Sequence, residues 1–452
     1  MKTSLLKILY VVIVTILFTL GFYRNQWQAV DMSEVQYRRD VSEIFVMGRL
    51  VESHQDGVFS AGGLLGIGDV SESSLESKVI KNQYNKYDSG KGFSQYWAYK
   101  SHPGLQGIVY SIFDSLTNFT PMMNLTMFRL GISLLLSIIL AMFCFWIEAE
   151  VGWLASILVV FFILASKWFS IFGGNIYWSL WSFYLPLTIF SFLIKKTETN
   201  HNASSQRLML VAFTLSLVKI LFSGFEFITS GLLIFTVPFV YYAVLNNWGW
   251  KVFVRRMVSL TISLIGSIMV GLVILSIQIK SVLGDYTEAL KYIVFAWSKR
   301  TYGYENLMGS SSETSKSFVE KILDVIGNYL NGYAFSLSTH LRIDSSLIKD
   351  LLDGRYLFLI LLFVCATITF FNRHPPSEKT PTFQTGIALV AASWFSILGP
   401  LSWFVVFRDH AALHTRLDFI VWQMPFTLYG FALIGFVASN LKSSRQRGKD
   451  NS

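Results

Sequence analysis

The residues best suited to chemistry lie in two short stretches of the sequence. Asp40 and Glu43 follow the first apolar run at a spacing of three, so a helix would place both on one face. Such a pair is either a solvated helix face or a source of a carboxylate base. The second stretch is 407–419, where two arginines, two aspartates and two histidines fall within eleven positions.

The 407–419 stretch favours the binding of an anion at the mouth of an apolar run. Arg408 and Arg416 have the geometry to pair bidentately with phosphate oxygens. His410 and His414 are four residues apart and face the same way on a helix. A solvated loop containing an Asp–Arg bridge is the alternative interpretation. A divalent metal is disfavoured, since no HExxH motif is present and the arginines would repel a cation, so no cofactor is predicted.

Two further groups of ionisable residues adjoin predicted outer connections. Lys219 and Glu226 flank a short turn, where they either pair with each other or line a site. Lys299 and Arg300 offer a second cationic pair for an acceptor or a diphosphate.

The composition indicates which elements must position these residues. The chain has 452 residues, of which 53% are hydrophobic and only 14% are charged, against about 25% charged in soluble proteins. This excludes a disordered chain, a nucleic-acid-binding domain and an ordinary soluble enzyme. We predict an all-α polytopic integral membrane protein, a single transmembrane domain over 1–452 with about ten transmembrane helices. The apolar runs are 5–23, 126–147, 151–171, 176–194, 208–224, 226–245, 257–279, 356–371, 383–406 and 419–439.

The distribution of lysine and arginine predicts how the chain is oriented. Basic residues recur in alternate connections, which by the positive-inside rule places both termini in the cytoplasm. The long segments 24–124 and 280–355 then form two large extracytoplasmic loops that contain surface helices. No cytoplasmic connection is large enough for an ATP-binding domain and no GxxxxGK[ST] motif occurs. We therefore expect a multi-pass protein of the cell membrane, of the bacterial inner membrane type, that uses neither ATP nor nucleic acid.

The first loop carries a characteristic order of motifs. The acidic pair precedes an amphipathic stretch with Arg49, which ends at Asp56-Gly57, and His102-Pro103-Gly104-Leu105 precedes a second amphipathic stretch. This order resembles the opening of the C-type (GT-C) glycosyltransferases, such as protein O-mannosyltransferases and lipid A aminoarabinose transferases. Two positions depart from the pattern of that family. The acids are separated by Val41 and Ser42, and Gly104 replaces the second proline of a His-Pro-Pro-Leu motif.

The resemblance implies transfer of a sugar from a polyprenyl-phosphate donor to an extracytoplasmic acceptor, a cell-envelope glycan or lipid. Its partners would be membrane lipid and the lipid-linked sugar. Asp40 or Glu43 would be the catalytic base, with Asp31 and Glu34 as substitutes. The predicted substrate-binding residues are Arg49, His102, Arg408, His410, His414 and Arg416.

Other functions fit the same predicted topology. An O-antigen-type polymerase or ligase would also use outward-facing arginine and histidine. A transporter or flippase of lipid-linked glycans is the alternative from a different class, but it needs a polar site near the bilayer midplane. The ionisable residues gather instead at one predicted face. A purely structural subunit is the fourth option, which no feature of the sequence specifically favours.

Overall fold

The fold is almost entirely helical, as the sequence predicts. The computed structural model describes residues 2–70, 76–200, 205–302, 317–343, 345–373, 380–415 and 417–450. Within these ranges the chain is an all-α protein apart from one short two-stranded antiparallel sheet. A core rich in Phe, Tyr and Trp side chains lies between the helices.

Among the described residues, seven helical stretches are long and apolar enough to cross a membrane, which supports a membrane-embedded protein. They are Leu5–Arg24, Pro121–Glu150, Gln206–Ser223, Ile228–Leu245, Trp250–Leu283, Tyr356–Arg373 and Pro381–Val406. Two shorter apolar helices accompany them, Trp153–Ala165 and Phe426–Leu441. The count of ten spans stays a prediction.

Several of the predicted runs are not continuous helices, and two of them show why. The run 151–171 breaks at Ser166, where the backbone is extended. The Ser166 side chain caps a new short helix by accepting a hydrogen bond from the Phe169 N–H. The run 419–439 starts with a 3₁₀ turn, Asp418–Gln423, before its helix begins at Phe426. Apolar content alone predicts burial in these segments but carries no signal for the breaks, which depend on local capping and turn geometry.

The helices up to the middle of the chain are numbered in sequence order. They are α1 Lys2–Arg24, α2 Met32–Asp56, α3 Glu76–Ser89, α4 Leu105–Leu116, α5 Pro121–Glu150, α6 Trp153–Ala165, α7 Lys167–Phe172, α8 Trp181–Asn200, α9 Ser205–Ser223, α10 Ile228–Leu233, α11 Val237–Leu245 and α12 Trp250–Leu283. The remaining helices follow the same numbering. They are α13 Tyr286–Tyr302, α14 Phe318–Leu330, α15 Leu337–Leu341, α16 Ser346–Leu352, α17 Tyr356–Arg373, α18 Pro381–Ser396, α19 Leu398–Val406, α20 Arg408–Leu413 and α21 Phe426–Asp450.

The first long segment folds around α2 and a small two-stranded sheet, whose strands are separated in the chain by α3. Strands β1 (Gly66–Gly68) and β2 (Tyr96–Ala98) pair antiparallel. Helix α2 lies directly against β1 at Gly48, where a Cβ atom would sit 2.0 Å from the Gly66 carbonyl oxygen. Only glycine permits that approach. The glycine-rich stretch 57–68 thus supplies a strand.

The polar connections divide between two ends of the helix bundle. At one end the Gln278 side chain donates to the Pro103 carbonyl oxygen at 2.8 Å, and the Lys167 N–H donates to the Ala334 carbonyl oxygen at 3.1 Å. At the other end Arg256 pairs with Glu198 at 2.7 Å. Segments predicted to be extracytoplasmic therefore contact one another at the first end, and segments predicted to be cytoplasmic contact one another at the second. Which end faces the cytoplasm stays a prediction.

Candidate functional site

Helix α2 holds the acidic pair at the end of the bundle where the two long segments meet. Asp31 caps this helix, because its side chain accepts from the Ser33 N–H at 2.8 Å. Asp40 is half-buried, whereas Glu43 is fully buried with 0% of its surface exposed. The two acids therefore sit in different environments on one helix.

The Glu43 carboxylate is held on both oxygens. Oε1 accepts from the Ile176 N–H at 3.0 Å, and Oε2 accepts from Arg129 through Nε at 3.0 Å and through Nη2. The Tyr84 hydroxyl also donates to Oε2 at 3.5 Å. A carboxylate with this set of donors is fixed and charge-compensated. The geometry is that of a buried ion pair joining α2, α5 and the 175–178 turn.

Asp40 is the more accessible acid of the pair. Its Oδ1 accepts from the Tyr84 hydroxyl at 3.2 Å. Burial raises the pKa of Asp40, although the Tyr84 hydrogen bond and the Arg129 charge oppose that shift. A carboxylate with a raised pKa is a stronger base than an ordinary surface aspartate. Asp40 therefore fits a general base better than Glu43 does.

Arg39 adds a cation to this cluster. It is half-buried and lies within electrostatic range of Glu43, Arg129 and Asp40. Among the residues that the structure describes, the buried Nε of Arg39 has no hydrogen-bond partner. Arg129 is already committed to Glu43, so Arg39 is the cation beside Asp40 best placed to meet an incoming anion.

Tyr84, Arg129 and Ile176 received no role from the sequence. Tyr84 lies 41 residues from Glu43 in the chain, and Arg129 lies 86 residues from it. Neither residue belongs to a local motif, so only the tertiary fold connects them with the acidic pair.

Arg49 holds the turn that follows α2. Its guanidinium donates to the Ser60 carbonyl oxygen at 2.6 Å, to the Gly57 carbonyl oxygen at 3.1 Å and to the Ser53 hydroxyl at 2.9 Å. The residue is fully buried, with 0% exposed. These contacts use the guanidinium to close the chain onto itself, and the substrate-binding role of Arg49 stays a prediction.

His102 is also buried among protein groups. Its Nδ1 accepts from the Gly104 N–H at 2.9 Å, which places the proton of the neutral ring on Nε2. Burial lowers the pKa of His102 to about 3, so the imidazole is neutral at physiological pH. Gly224 lies so close that a Cβ there would sit 2.7 Å from the ring. The histidine joins the first segment to the Gly224 turn; its predicted contact with substrate stays untested.

A second cluster of charges surrounds Glu226. Its Oε1 accepts from Arg300 of α13 at 2.6 Å, and its Oε2 lies 3.7 Å from Nε2 of His410 on α20. The rings of His410 and His414 are 4.3 Å apart between centroids. The structure thus places two of the predicted residues in one cluster with Glu226 and Arg300.

The Glu226 cluster is largely neutral as a unit. Burial would raise the pKa of Glu226, but Arg300 and the neighbouring histidines hold it at about 2. Burial lowers the pKa of His410 to about 4 and also lowers the pKa of His414. At neutral pH one carboxylate therefore offsets one guanidinium, and both histidines are uncharged hydrogen-bonding groups.

Lys219 supports the turn that carries Glu226. Its Nζ donates to the carbonyl oxygens of Gly224 at 2.9 Å and Glu226 at 2.6 Å, and it lies 4.6 Å above the Phe183 ring. The sequence allowed Lys219 and Glu226 either to pair or to line a site. They do contact each other, but through the Lys219 ammonium and the Glu226 backbone carbonyl oxygen.

Arg408 Nε lies 3.5 Å from Asp409 Oδ2, the kind of Asp–Arg contact named as an alternative for this stretch, and each residue has a further partner. Arg408 lies over the Phe318 ring at 4.4 Å, and Asp409 pairs with Lys321 at 3.1 Å. Asp418 is buried and accepts from the Trp403 indole at 2.8 Å, and burial raises its pKa well above the ordinary value. Arg416 lies outside the described residues.

One short turn connects the two clusters. The Ile176 N–H binds Glu43, and the next residue, Tyr177, is hydrogen-bonded to Tyr99. Tyr99 in turn is hydrogen-bonded to Arg300, the partner of Glu226. The acidic pair and the Glu226 cluster are therefore parts of one buried polar network.

Within the described ranges, no group of three or more His, Cys, Asp or Glu side chains is arranged to hold a metal ion. No protein-family model, curated protein or solved structure matches the chain.

Proposed function

We propose that this protein is a membrane glycosyltransferase that moves a sugar from a polyprenyl-phosphate donor to an acceptor outside the cytoplasm. The observation that carries the proposal is the half-buried Asp40 carboxylate, held by the Tyr84 hydroxyl beside Arg39, at the end of a bundle of apolar helices. A glycosyl transfer of this kind needs a base for the acceptor and positive charge for the leaving phosphate.

In this mechanism Asp40 accepts the proton of the acceptor hydroxyl as that oxygen attacks the anomeric carbon. The bond from that carbon to the phosphate oxygen breaks, and the released phosphate gains negative charge. Arg39 meets that charge, and Glu43 with Arg129 fixes the helix that carries both groups. Glu43 is thereby assigned to positioning and Asp40 to proton transfer.

The Glu226 cluster supports a second part of the proposal. His410 and His414 are neutral donors and acceptors beside Arg300, and the network through Tyr99 and Tyr177 joins them to α2. They would orient the acceptor or donor head group by hydrogen bonds. The roles predicted for Arg408 and Arg416 in holding the donor phosphate remain part of the proposal.

The test is turnover and binding in proteoliposomes with a panel of polyprenyl-phosphate sugars. Asp40→Asn keeps the shape and removes the base, so transfer should fall by about 10² or more, while donor binding stays near wild type. Asp31→Asn is the matched control, since asparagine caps a helix as well as aspartate, and it should leave turnover unchanged.

One result would overturn the proposal, and another would assign the base to a different residue. If wild-type protein binds no polyprenyl-linked sugar and a solute instead crosses the liposome membrane, the protein is a transporter. If transfer occurs and Asp40→Asn matches Asp31→Asn, the enzyme assignment survives but the base is another carboxylate.

A further inference from the structure

A groove lies at the opposite end of the bundle from the candidate site, between α1, α5 and α6. It has a volume of about 600 Å³, within the range of roughly 300–1,000 Å³ typical of small-molecule sites. Its walls are mostly apolar, and its only charged lining residues in the described part of the chain are Lys7 and Glu148. The apolar wall residues include Leu6, Leu9, Ile13, Phe145, Ile157 and Val160.

The groove opens on the lipid-facing side of the helices. Leu6 is 64% exposed and Trp153, at the start of α6, is 57% exposed. The Trp153 and Tyr10 rings lie 5.5 Å apart, and the Tyr10 hydroxyl is within hydrogen-bonding distance of the Ser156 hydroxyl at 2.6 Å. Tryptophan and tyrosine with their polar edges at helix ends are typical of the level of lipid head groups.

Lys7 and Glu148 carry opposite charges but do not neutralise each other. In the part of the chain that the structure describes, neither side chain belongs to an ion pair with another residue, although both line the same groove. Lys7 lies over the Phe145 ring at 6.0 Å. Charged groups near the membrane are costly unless they meet a counter-charge. A ligand that presents both a negative and a positive group would satisfy the two side chains together.

We propose that this groove binds one phospholipid whose head group carries both a phosphate and a primary ammonium, as phosphatidylethanolamine does. Lys7 binds the phosphate, Glu148 accepts hydrogen bonds from the ammonium, and an acyl chain lies along the apolar wall. Choline head groups cannot donate such a hydrogen bond to Glu148, and glycerol head groups lack the cation. The site is independent of the proposed transfer reaction.

The experiment is native mass spectrometry of the full-length protein in detergent, titrated separately with dioleoyl phosphatidylethanolamine, phosphatidylcholine and phosphatidylglycerol. The ethanolamine lipid can make one charge-assisted hydrogen bond to Glu148 that the choline lipid cannot make. It should therefore bind about tenfold more tightly than the choline lipid. Glu148→Gln should remove that preference, whereas Lys7→Gln should weaken the binding of all three lipids. Lys251→Gln, an exposed lysine at the start of α12 outside the groove, is the matched control and should change nothing.

Quenching of tryptophan fluorescence locates the bound lipid independently of these charge variants. Phosphatidylethanolamine with brominated acyl chains should quench wild-type protein more than Trp153→Phe protein, because Trp153 lines the groove. Equal affinity for the three lipids, unaltered by Glu148→Gln and Lys7→Gln, would overturn the proposal and show an ordinary lipid shell. Quenching that does not depend on Trp153 would place the bound lipid elsewhere and also overturn it.

Discussion

Removal of the Arg129 side chain tests whether Glu43 is a structural anchor. In Arg129→Met the carboxylate remains fully buried and loses its two guanidinium hydrogen bonds. Breaking a buried ion pair from one side costs about 3–5 kcal/mol. The Ile176 N–H and the Tyr84 hydroxyl still donate to Glu43, so we expect a loss near the lower limit, about 3 kcal/mol.

A double-mutant cycle separates the ion pair from the packing of the arginine stem. In Glu43→Gln the charge is gone, so adding Arg129→Met to it should cost much less than the same change in wild type. We expect a coupling energy of about 1–3 kcal/mol, the range for residues in one hydrogen-bonded network. The matched control is Arg38→Met. Arg38 pairs with Glu34 one helical turn away at 3.5 Å on the same helix, a bond worth about 0.5 kcal/mol or less.

The assay is reversible unfolding of purified protein in mixed micelles, followed by tryptophan fluorescence. Turnover of Glu43→Gln is measured on the folded fraction alone. The reasoning is refuted if Arg129→Met unfolds like Arg38→Met, or if the cycle gives no coupling. It is also refuted if folded Glu43→Gln loses transfer as completely as Asp40→Asn does, because Glu43 would then act in the reaction itself.

Three other predictions follow from the network around α2 and Glu226. Arg49 binds the carbonyl oxygens of Gly57 and Ser60, so Arg49→Met should expose the turn after α2 to limited protease digestion. Arg39→Met should keep the wild-type digestion pattern, and equal digestion of both variants would show that Arg49 does not hold this turn. The Asp114 hydrogen bond raises the pKa of His54, so their 2.6 Å pair should stabilise the fold below the ordinary histidine pKa of about 6.5. That contribution should be lost as the pH rises through the raised pKa of His54. Between about pH 5 and 9 the melting temperature of wild type should therefore fall for this reason, and that of Asp114→Asn should not. Glu226 has its pKa lowered to about 2, so its advantage over Glu226→Gln should be full above about pH 4.5 and shrink as pH falls toward the folded value; a constant difference in melting temperature would rule this out.

The sequence predicts the local elements of this fold well. The helical spacing of apolar residues over 41–51 and the amphipathic stretch 108–116 correspond to α2 and α4, although both helices extend further than the pattern. These elements depend on neighbouring residues, which is why a periodic pattern reveals them. Strand β1 pairs with a segment about 30 residues later, a non-local contact that a Gly-rich stretch does not reveal.

The candidate site was harder to predict, because its character depends on which charges meet in space. The sequence marks both Asp40 and Glu43 as carboxylates on one face but cannot assign Arg129 to one of them. It marks His410 and His414 as a pair but does not place them against Glu226, which lies on another connection. Desolvation and charge pairing therefore determine the protonation states of these groups, and both properties arise only from the tertiary fold.

The tertiary fold also bears on where the proposed donor phosphate would bind. The density of charge in 407–419 favours that stretch, yet Glu226 neutralises Arg300 and burial keeps both histidines uncharged. Beside Asp40 the charges also balance, because Arg129 matches Glu43 and Arg39 offsets Asp40, but the buried Nε of Arg39 has no hydrogen-bond partner among the described residues and can donate to an anion. An incoming phosphate would then bring negative charge next to Asp40, which raises the proton affinity of that carboxylate further. In the proposed reaction, donor binding would thus strengthen the base when the acceptor must lose its proton, and we predict that the donor binds before the acceptor.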